Sequence, residues 1–165
     1  MALRDAFTSE EWTAIALAPM LASLAVTASD PSGLMGTLRE SSAVAWSMRA
    51  AQTLEDTLAS EVVATYETPE GRMAARAALA EIAHGRTSQE TTAEAIAQLE
   101  RIARLVDERA PTESTAFKAW ISVTAASVAE AAREGGILGF GGHHVSETER
   151  RTLASIDMAL GLPAA

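Results

Sequence analysis

Apolar residues in this chain recur at steps of three and four positions, which is the spacing of one face of an α-helix. One stripe lies in the segment 44–62, and a second, heptad-like stripe lies in the segment 117–131. The stripes consist of Val44, Met48, Ala51, Leu54, Leu58 and Val62, and of Phe117, Ile121, Thr124, Val128 and Ala131. Alanine, the best helix former, dominates, and β-branched and aromatic residues never alternate over the length of a strand. The sequence therefore predicts an all-α fold without a sheet.

Capping signals, prolines and glycines divide this pattern into about six helices within a single domain spanning residues 1–165. Thr8 and Glu11 have the spacing of a capping box, so the first helix begins near Ser9, and Pro19 predicts a kink or a restart within it. Glycines at 85 and 161 are expected to end two of the helices. The predicted helices span about 9–28, 35–66, 72–83, 88–110, 112–134 and 147–160.

The net charge of −9 bears on the partners of the chain. Nucleic acids and anionic membrane surfaces are bound mainly through Lys and Arg, whereas here Lys118 is the only lysine and the arginines are scattered. We therefore expect neither nucleic acid nor a membrane as a partner. Because the chain has no cysteine, it has no disulfide, thiolate zinc site or cysteine nucleophile, and we expect a cytoplasmic protein.

The segment 14–28 is almost wholly apolar, as the core of a targeting sequence would be. A signal peptide carries positive charge before its apolar stretch, but here Asp5, Glu10 and Glu11 precede it. The segment is also shorter than the ~20 residues that cross a bilayer, and Pro19 interrupts it. We expect it to form a buried core helix.

A unit of helix, glycine-containing loop and helix occurs twice, in the segments 23–46 and 127–156. The acids that end or open these helices are Asp30 and Glu40 in the first unit and Glu134, Glu147 and Glu149 in the second. In a compact bundle the two units would pack against each other and could bring the five carboxylates together. Hard cations take oxygen ligands, and neither thiolates nor well-spaced histidines are present, so the pattern predicts Ca²⁺ or Mg²⁺ rather than zinc. The alternative is that these acids are helix caps and solvated charges.

His143 and His144 form the only grouping of histidines with carboxylates in the sequence. Adjacent side chains in an extended segment point to opposite sides, so the pair does not easily hold one metal ion. The glycine-rich run at 135–142 lacks the Lys-Ser/Thr ending of a phosphate-binding loop, and we interpret it as a structural loop. A small hydrolase that uses His143 or His144 remains as an alternative function.

The doubled unit resembles the repeated motif of TerB-like (tellurite-resistance-associated) domains. That motif is an apolar helix ending in A-x-x-A-D-G, a short loop, and S-x-x-E at the start of the next helix. The matching segments are 26–40 and 131–149, and 154–162 resembles the closing segment of the family. The loops here are longer, Pro31 follows Asp30, and Glu134 replaces the second aspartate. The glycine-rich stretch also looks like segments of uncharacterised bacterial all-helical proteins.

TerB-like domains are helical bundles proposed to bind divalent metal and to act in stress-response complexes. The resemblance therefore implies a bundle with a metal site at the five acids. Our leading hypothesis is a non-enzymatic module that binds a divalent cation or a protein partner through its acidic loops, with no catalytic residue and no organic cofactor indicated. The alternative is a metal-free scaffold that forms a homodimer, because the stripes on 44–62 and 117–131 offer more apolar surface than a small bundle exposes.

Overall fold

The structure, a computed structural model, describes residues 3–29, 37–52, 57–134 and 147–163, without the side chains of residues 37–43, 46 and 132–134. The described residues form seven α-helices and no strand, with a short 3-10 helix at Leu3–Ala6. The all-α prediction is thereby confirmed, with one helix more than expected. The helices are α1 (Ser9–Ser29), α2 (Thr37–Gln52), α3 (Leu58–Glu67), α4 (Pro69–Ala83), α5 (Ser88–Arg109), α6 (Pro111–Glu134) and α7 (Glu147–Ala159).

The extra helix arises because the segment 35–66 holds two helices, so its prediction as one helix was wrong. Thr57 precedes α3 with an extended backbone, and its side chain accepts a hydrogen bond from the backbone N–H of Ser60. The Ser60 hydroxyl in turn accepts one from the Thr57 N–H. This capping box supplies partners for N–H groups that a helix start otherwise leaves unpaired. Leu54 of the apolar stripe lies outside the described residues.

The α3–α4 junction also differs from the prediction, since α4 begins at Pro69 rather than near residue 72. Thr68 ends α3 and caps α4, and its hydroxyl accepts a hydrogen bond from the Gly71 N–H at 3.1 Å. Proline is favoured at the first helical position because its missing N–H is not needed there. A Cβ at Gly71 would lie 1.9 Å from the Thr65 carbonyl oxygen, so this tight corner requires glycine.

The other predicted helix boundaries are largely confirmed. The Thr8 N–H donates to a Glu11 carboxylate oxygen at 2.7 Å, and the Glu11 N–H donates to the Thr8 hydroxyl at 3.2 Å, which is the predicted capping box. Gly85 and Gly161 follow α4 and α7 with φ values of 70°, a conformation that glycine adopts without strain. α1 is continuous through Pro19, so the helix does not restart there.

α1 is the central helix of the bundle and contacts every other α-helix. Ile15, Leu21 and Ala25 on it are fully buried. Among the described helices, α1 is long and apolar enough to cross a membrane by length and composition, and 50% of its apolar window is buried within the molecule. These contacts agree with the expected core helix, and the cytoplasmic location stays a prediction.

The two apolar stripes on which the homodimer hypothesis rests face each other within one chain. Val44 and Ala51 of α2 and Phe117 and Ile121 of α6 are all buried in the molecule. Thr124 of α6 shares a buried hydrogen bond with Ser47 of α2, and the Trp120 indole donates to the Ser47 carbonyl oxygen. The buried members of both stripes are therefore covered without a second copy, and the homodimer stays a prediction.

Side-chain contacts define the directions of the long helices. α1 and α5 are antiparallel, because Glu11 pairs with Arg109 while Ala25 accepts a hydrogen bond from Thr92. α5 turns at Ala110 into α6, which runs back beside it. α6 and α7 are antiparallel, with Ser122 bonded to Asp157 and the Lys118 amine near Gly161.

The bundle consequently has two distinct ends. The end formed by the start of α1, the α5–α6 turn and the end of α7 is called the hairpin end. The end formed by the C-termini of α1 and α6 and the N-termini of α5 and α7 is called the loop end, because residues 30–36 and 135–146 follow or precede these helices in the sequence.

Candidate functional site

The five predicted cation ligands fall into two groups. Glu147 and Glu149 lie in the first turn of α7. Glu40 lies near the start of α2 and Glu134 is the last residue of α6, and their side chains are not described. Asp30, which directly follows α1, lies outside the described residues. The backbone thus places the end of α6 and the start of α7 at the loop end, together with the helix that leads into Asp30.

The two described candidates, Glu147 and Glu149, have different environments. The exposed Glu147 carboxylate pairs with Arg150 at 3.0 Å and with Arg151 at 3.4 Å. Glu149 is only 8% exposed. Residues two apart on a helix do not face each other, so Glu147 and Glu149 alone cannot hold one ion. Within the described part of the chain, no group of three or more His, Asp or Glu residues is arranged to hold a metal ion.

A cleft of about 800 Å³ opens at the loop end between α1, α5 and α7. It is lined by Ala28, Ser29, Ser88, Gln89, Thr92, Ala93, Ile96, Thr148, Arg151, Thr152 and Ser155. Most of these side chains carry a hydroxyl or an amide, and Arg151 is the only charged one. We call this cavity the loop-end cleft. It lies where α1 leads into one predicted loop and where the other predicted loop leads into α7.

Hydrogen bonds to carbonyl oxygens of α1 hold two hydroxyls of the loop-end cleft in place. The Ser29 hydroxyl donates to the Val26 carbonyl oxygen at 2.7 Å. The Thr92 hydroxyl crosses from α5 to α1 and donates to the Ala25 carbonyl oxygen at 3.4 Å. Because each hydroxyl oxygen still has a lone pair to offer, these groups can accept from or coordinate a ligand in the cleft.

The start of α5, beside the cleft, carries its own counter-charge. The Thr87 N–H and the Thr87 hydroxyl both donate to the Glu90 carboxylate, at 2.8 and 2.9 Å, and these hydrogen bonds lower the pKa of Glu90. An ionised acid in the first turn offsets the positive end of the helix dipole. The start of α5 is therefore less suited to bind an anion than an uncapped helix would be.

The predicted histidine chemistry is not tested by the described residues. His84 is exposed and caps the C-terminus of α4, where the sequence places it. His143 and His144 lie outside the described residues, and the hydrolase that would use them stays an alternative hypothesis.

Sequence reasoning missed the hydroxyls of the loop-end cleft, although a signal for them exists. Ser88 and Thr92 are four residues apart on α5, and Thr148, Thr152 and Ser155 recur at steps of four and three on α7. Such spacing places each set on one helix face. It does not indicate that the two faces meet.

Comparison with known proteins found no relative of this chain. The chain matches no protein-family model, no curated protein and no solved structure. The resemblance to TerB-like domains accordingly stays a prediction from the motif alone.

Proposed function

We propose that this protein is a non-enzymatic binding module that holds a divalent cation, Ca²⁺ or Mg²⁺, at the loop end of its helical bundle. The observation that carries the proposal is the loop-end cleft, which lies between the end of α1 and the start of α7. The end of α1 leads into one predicted acidic loop, and the start of α7 follows the other. In the stress-response setting that the TerB-like resemblance implies, such a module would act by binding rather than by catalysis.

The chemistry of the cleft supports a hard cation. Hydroxyl oxygens of Ser29, Thr148 and Thr152 border the cavity, and Asp30 directly follows Ser29 in the sequence. Ca²⁺ accepts six to eight oxygen ligands from carboxylates, carbonyls and water in flexible geometry. Arg151 is the one cation among the described lining residues, and it shares the Glu147 carboxylate with Arg150.

The position of Glu134 also supports the proposal. Acids at helix starts, such as Glu147, are favoured by the helix dipole and need no other explanation. Glu134 is the last residue of α6, where the dipole is negative and disfavours an acid. A cation bound nearby would remove this repulsion. The same argument applies to Asp30 immediately after α1.

Thermal unfolding of chelator-treated protein with and without millimolar Ca²⁺ or Mg²⁺ tests the proposal. At a hundredfold excess over Kd the ion stabilises the fold by about 2.7 kcal/mol, which raises the Tm by roughly 5–10 °C for a domain of this size. Asp30→Asn and Glu149→Gln should each reduce this rise. Glu100→Gln is the matched control, because Glu100 pairs with Arg104 on α5 and is no candidate ligand. An unchanged Tm of the unmodified protein contradicts the proposal.

A further inference from the structure

A second cavity, of about 510 Å³, lies between α1, α2, α3 and α4. It shares no lining residue with the loop-end cleft. Its apolar walls are Met20 and Leu24 of α1, Val44 and Met48 of α2, and Leu79 of α4. We call this cavity the α1–α4 groove. Its volume falls in the range of sites that hold small molecules, roughly 300–1,000 Å³.

The walls of the groove leave apolar surface open to a ligand. Val44 is buried, whereas Met20, Leu24, Met48 and Leu79 are only partly buried against the core. Methionine side chains are flexible and polarisable, so they adapt to apolar ligands of different shape. Such a surface fits an alkyl chain better than a rigid polar ligand.

Two arginines border the groove on one side of α4, at Arg72 and Arg76. They are four residues apart and so share a helix face. Within the described part of the chain, no carboxylate pairs with either of them. In a chain with a net charge of −9, these two guanidinium groups beside an apolar cavity are free to bind the negative charge of a ligand.

Arg72 is already oriented by the end of α3. Its guanidinium donates to the carbonyl oxygens of Tyr66 and Glu67 at 2.8 and 3.0 Å. Its remaining N–H groups can reach a ligand, because the guanidinium carries five donors. Arg76 makes no such bond among the described residues. Its guanidinium can therefore bind a carboxylate through two parallel hydrogen bonds.

Tyr66 closes one side of the groove without adding an acidic group to it. Its hydroxyl donates to the Ala16 carbonyl oxygen, and burial raises the pKa of the phenol. Tyr66 therefore stays neutral. The charged groups that face the groove from its lining are the two arginines.

We propose that the α1–α4 groove binds an aliphatic carboxylate, with the alkyl chain against Met20, Leu24, Met48 and Leu79 and the carboxylate held by Arg76 and Arg72. Because the groove and the loop-end cleft use different residues and different ligands, this site is independent of the proposed cation. Each methylene that enters the groove should strengthen binding about threefold to fourfold.

The test is isothermal titration calorimetry of the full chain with monomeric decanoate, octanoate and 1-decanol. Decanoate should bind about tenfold more tightly than octanoate, because it buries two further methylenes. It should also bind more tightly than 1-decanol, which has the chain length but no charge. Arg76→Gln should weaken decanoate binding about tenfold or more, because it removes charge-assisted hydrogen bonds. Arg104→Gln removes the same charge from an exposed position on α5 and should leave binding unchanged.

A second variant, Leu79→Gln, distinguishes loss of binding from loss of the fold. Its Tm is measured together with its affinities for decanoate and octanoate. Leu79→Gln makes the wall polar and should weaken decanoate more than it weakens octanoate. Absence of decanoate binding at millimolar concentration overturns the proposal, as do equal affinities of the Arg76→Gln and Arg104→Gln variants. Equal binding of 1-decanol and decanoate also overturns it. Arg76-dependent flotation with anionic phospholipid vesicles, without binding of monomeric decanoate, would assign the groove to a membrane surface instead.

Discussion

The hairpin end and the loop end of the bundle use their polar side chains in different ways. At the hairpin end, side chains of one helix bind another element. The contacts are Glu11 with Arg109, Asp107 with Lys118, Glu113 with the Leu58 N–H, and Glu61 with the N–H groups of Leu3 and Arg4. At the loop end most described polar contacts stay within one helix or its cap, as with Glu147 and Arg150 or Thr87 and Glu90.

This difference separates stability from binding. Contacts between distant elements hold helices in register, whereas contacts within one helix do not. The hydroxyls that remain at the loop end border an open cleft, so they are available to a ligand. We therefore expect substitutions at the hairpin end to change mainly the free energy of unfolding, and substitutions at the loop end to change mainly ligand binding.

The largest effect on stability is expected for Asp107→Ala. Lys118 is 9% exposed and its amine lies 2.6 Å from both Asp107 oxygens, so loss of the carboxylate leaves a buried charge without its partner. Breaking a buried pair costs about 3–5 kcal/mol, and because the Asp107 side chain is 51% exposed we expect a smaller loss of about 1–3 kcal/mol.

Urea unfolding measures this loss. The double variant Asp107→Ala with Lys118→Met should recover most of it, because methionine keeps the apolar stem and removes the charge. Equal stabilities of the single and double variants would show that the pair does not hold the hairpin end.

Glu61→Ala should have the next largest effect, about 1–2 kcal/mol. The Glu61 carboxylate accepts hydrogen bonds from the backbone N–H groups of Leu3 and Arg4, both at 2.8 Å, and so ties the Leu3–Ala6 helix to α3. Hydrogen exchange of these two amides should accelerate, while amides in the centre of α5 should change only in line with global stability. Unchanged hydrogen exchange at Leu3 and Arg4 would show that Glu61 does not hold the Leu3–Ala6 helix against α3.

The Asp107 contribution should depend on pH. Hydrogen bonds from Lys118 and then from Ser114 lower the pKa of Asp107 below its ordinary value of 3.8. A lowered pKa in the folded state means that the stabilisation is fully present above pH 3.8 and is lost as the pH falls through the folded-state pKa. The stability difference between the unmodified protein and Asp107→Asn should therefore shrink on acidification. A difference that stays constant down to pH 2 would argue against this pair as its source.

The smallest effect is expected for Glu147→Gln at the loop end. Its ion pairs with Arg150 and Arg151 are exposed, and such pairs contribute about 0–1 kcal/mol. We expect the Tm of the cation-free protein to change by no more than about 4 °C. A loss as large as that of Asp107→Ala would remove the distinction between the two ends.

Local signals account for most of the helix boundaries. The Thr8–Glu11 capping box and the glycines after α4 and α7 act over a few residues, so they can be recognised without knowledge of the fold. Thr57 and Ser60 also have a capping spacing, but the apolar stripe that runs from Ala51 to Val62 across them favoured one helix. The stripe indicated one continuous helix and the capping box indicated a new helix start. In the structure a new helix, α3, begins after Thr57.

The candidate site was only partly predictable. The sequence indicated that the two loop-bearing units pack together, and in the structure α1 contacts α6 and α7 while α2 contacts α6. The hydroxyl lining of the loop-end cleft was missed because hydroxyls on separate helices become one surface only when α1, α5 and α7 are assembled. The two arginines of α4 were missed for the same reason, since the walls of the α1–α4 groove come from four helices.

The sequence by itself determined that this chain is helical, where most of its helices begin and end, and which faces of them must be buried. The tertiary structure decided what covers those faces: α6 covers the stripe of α2 within the same chain, where the periodicity alone pointed equally well to a second copy. The tertiary structure also decided the partner of Lys118, the only lysine, which is buried against Asp107 at the α5–α6 turn. The physical reason is that the hydrophobic effect is non-directional. An apolar pattern therefore shows that a helix face is buried, but not which surface covers it. Only the full set of contacts between helices distant in sequence identifies that surface.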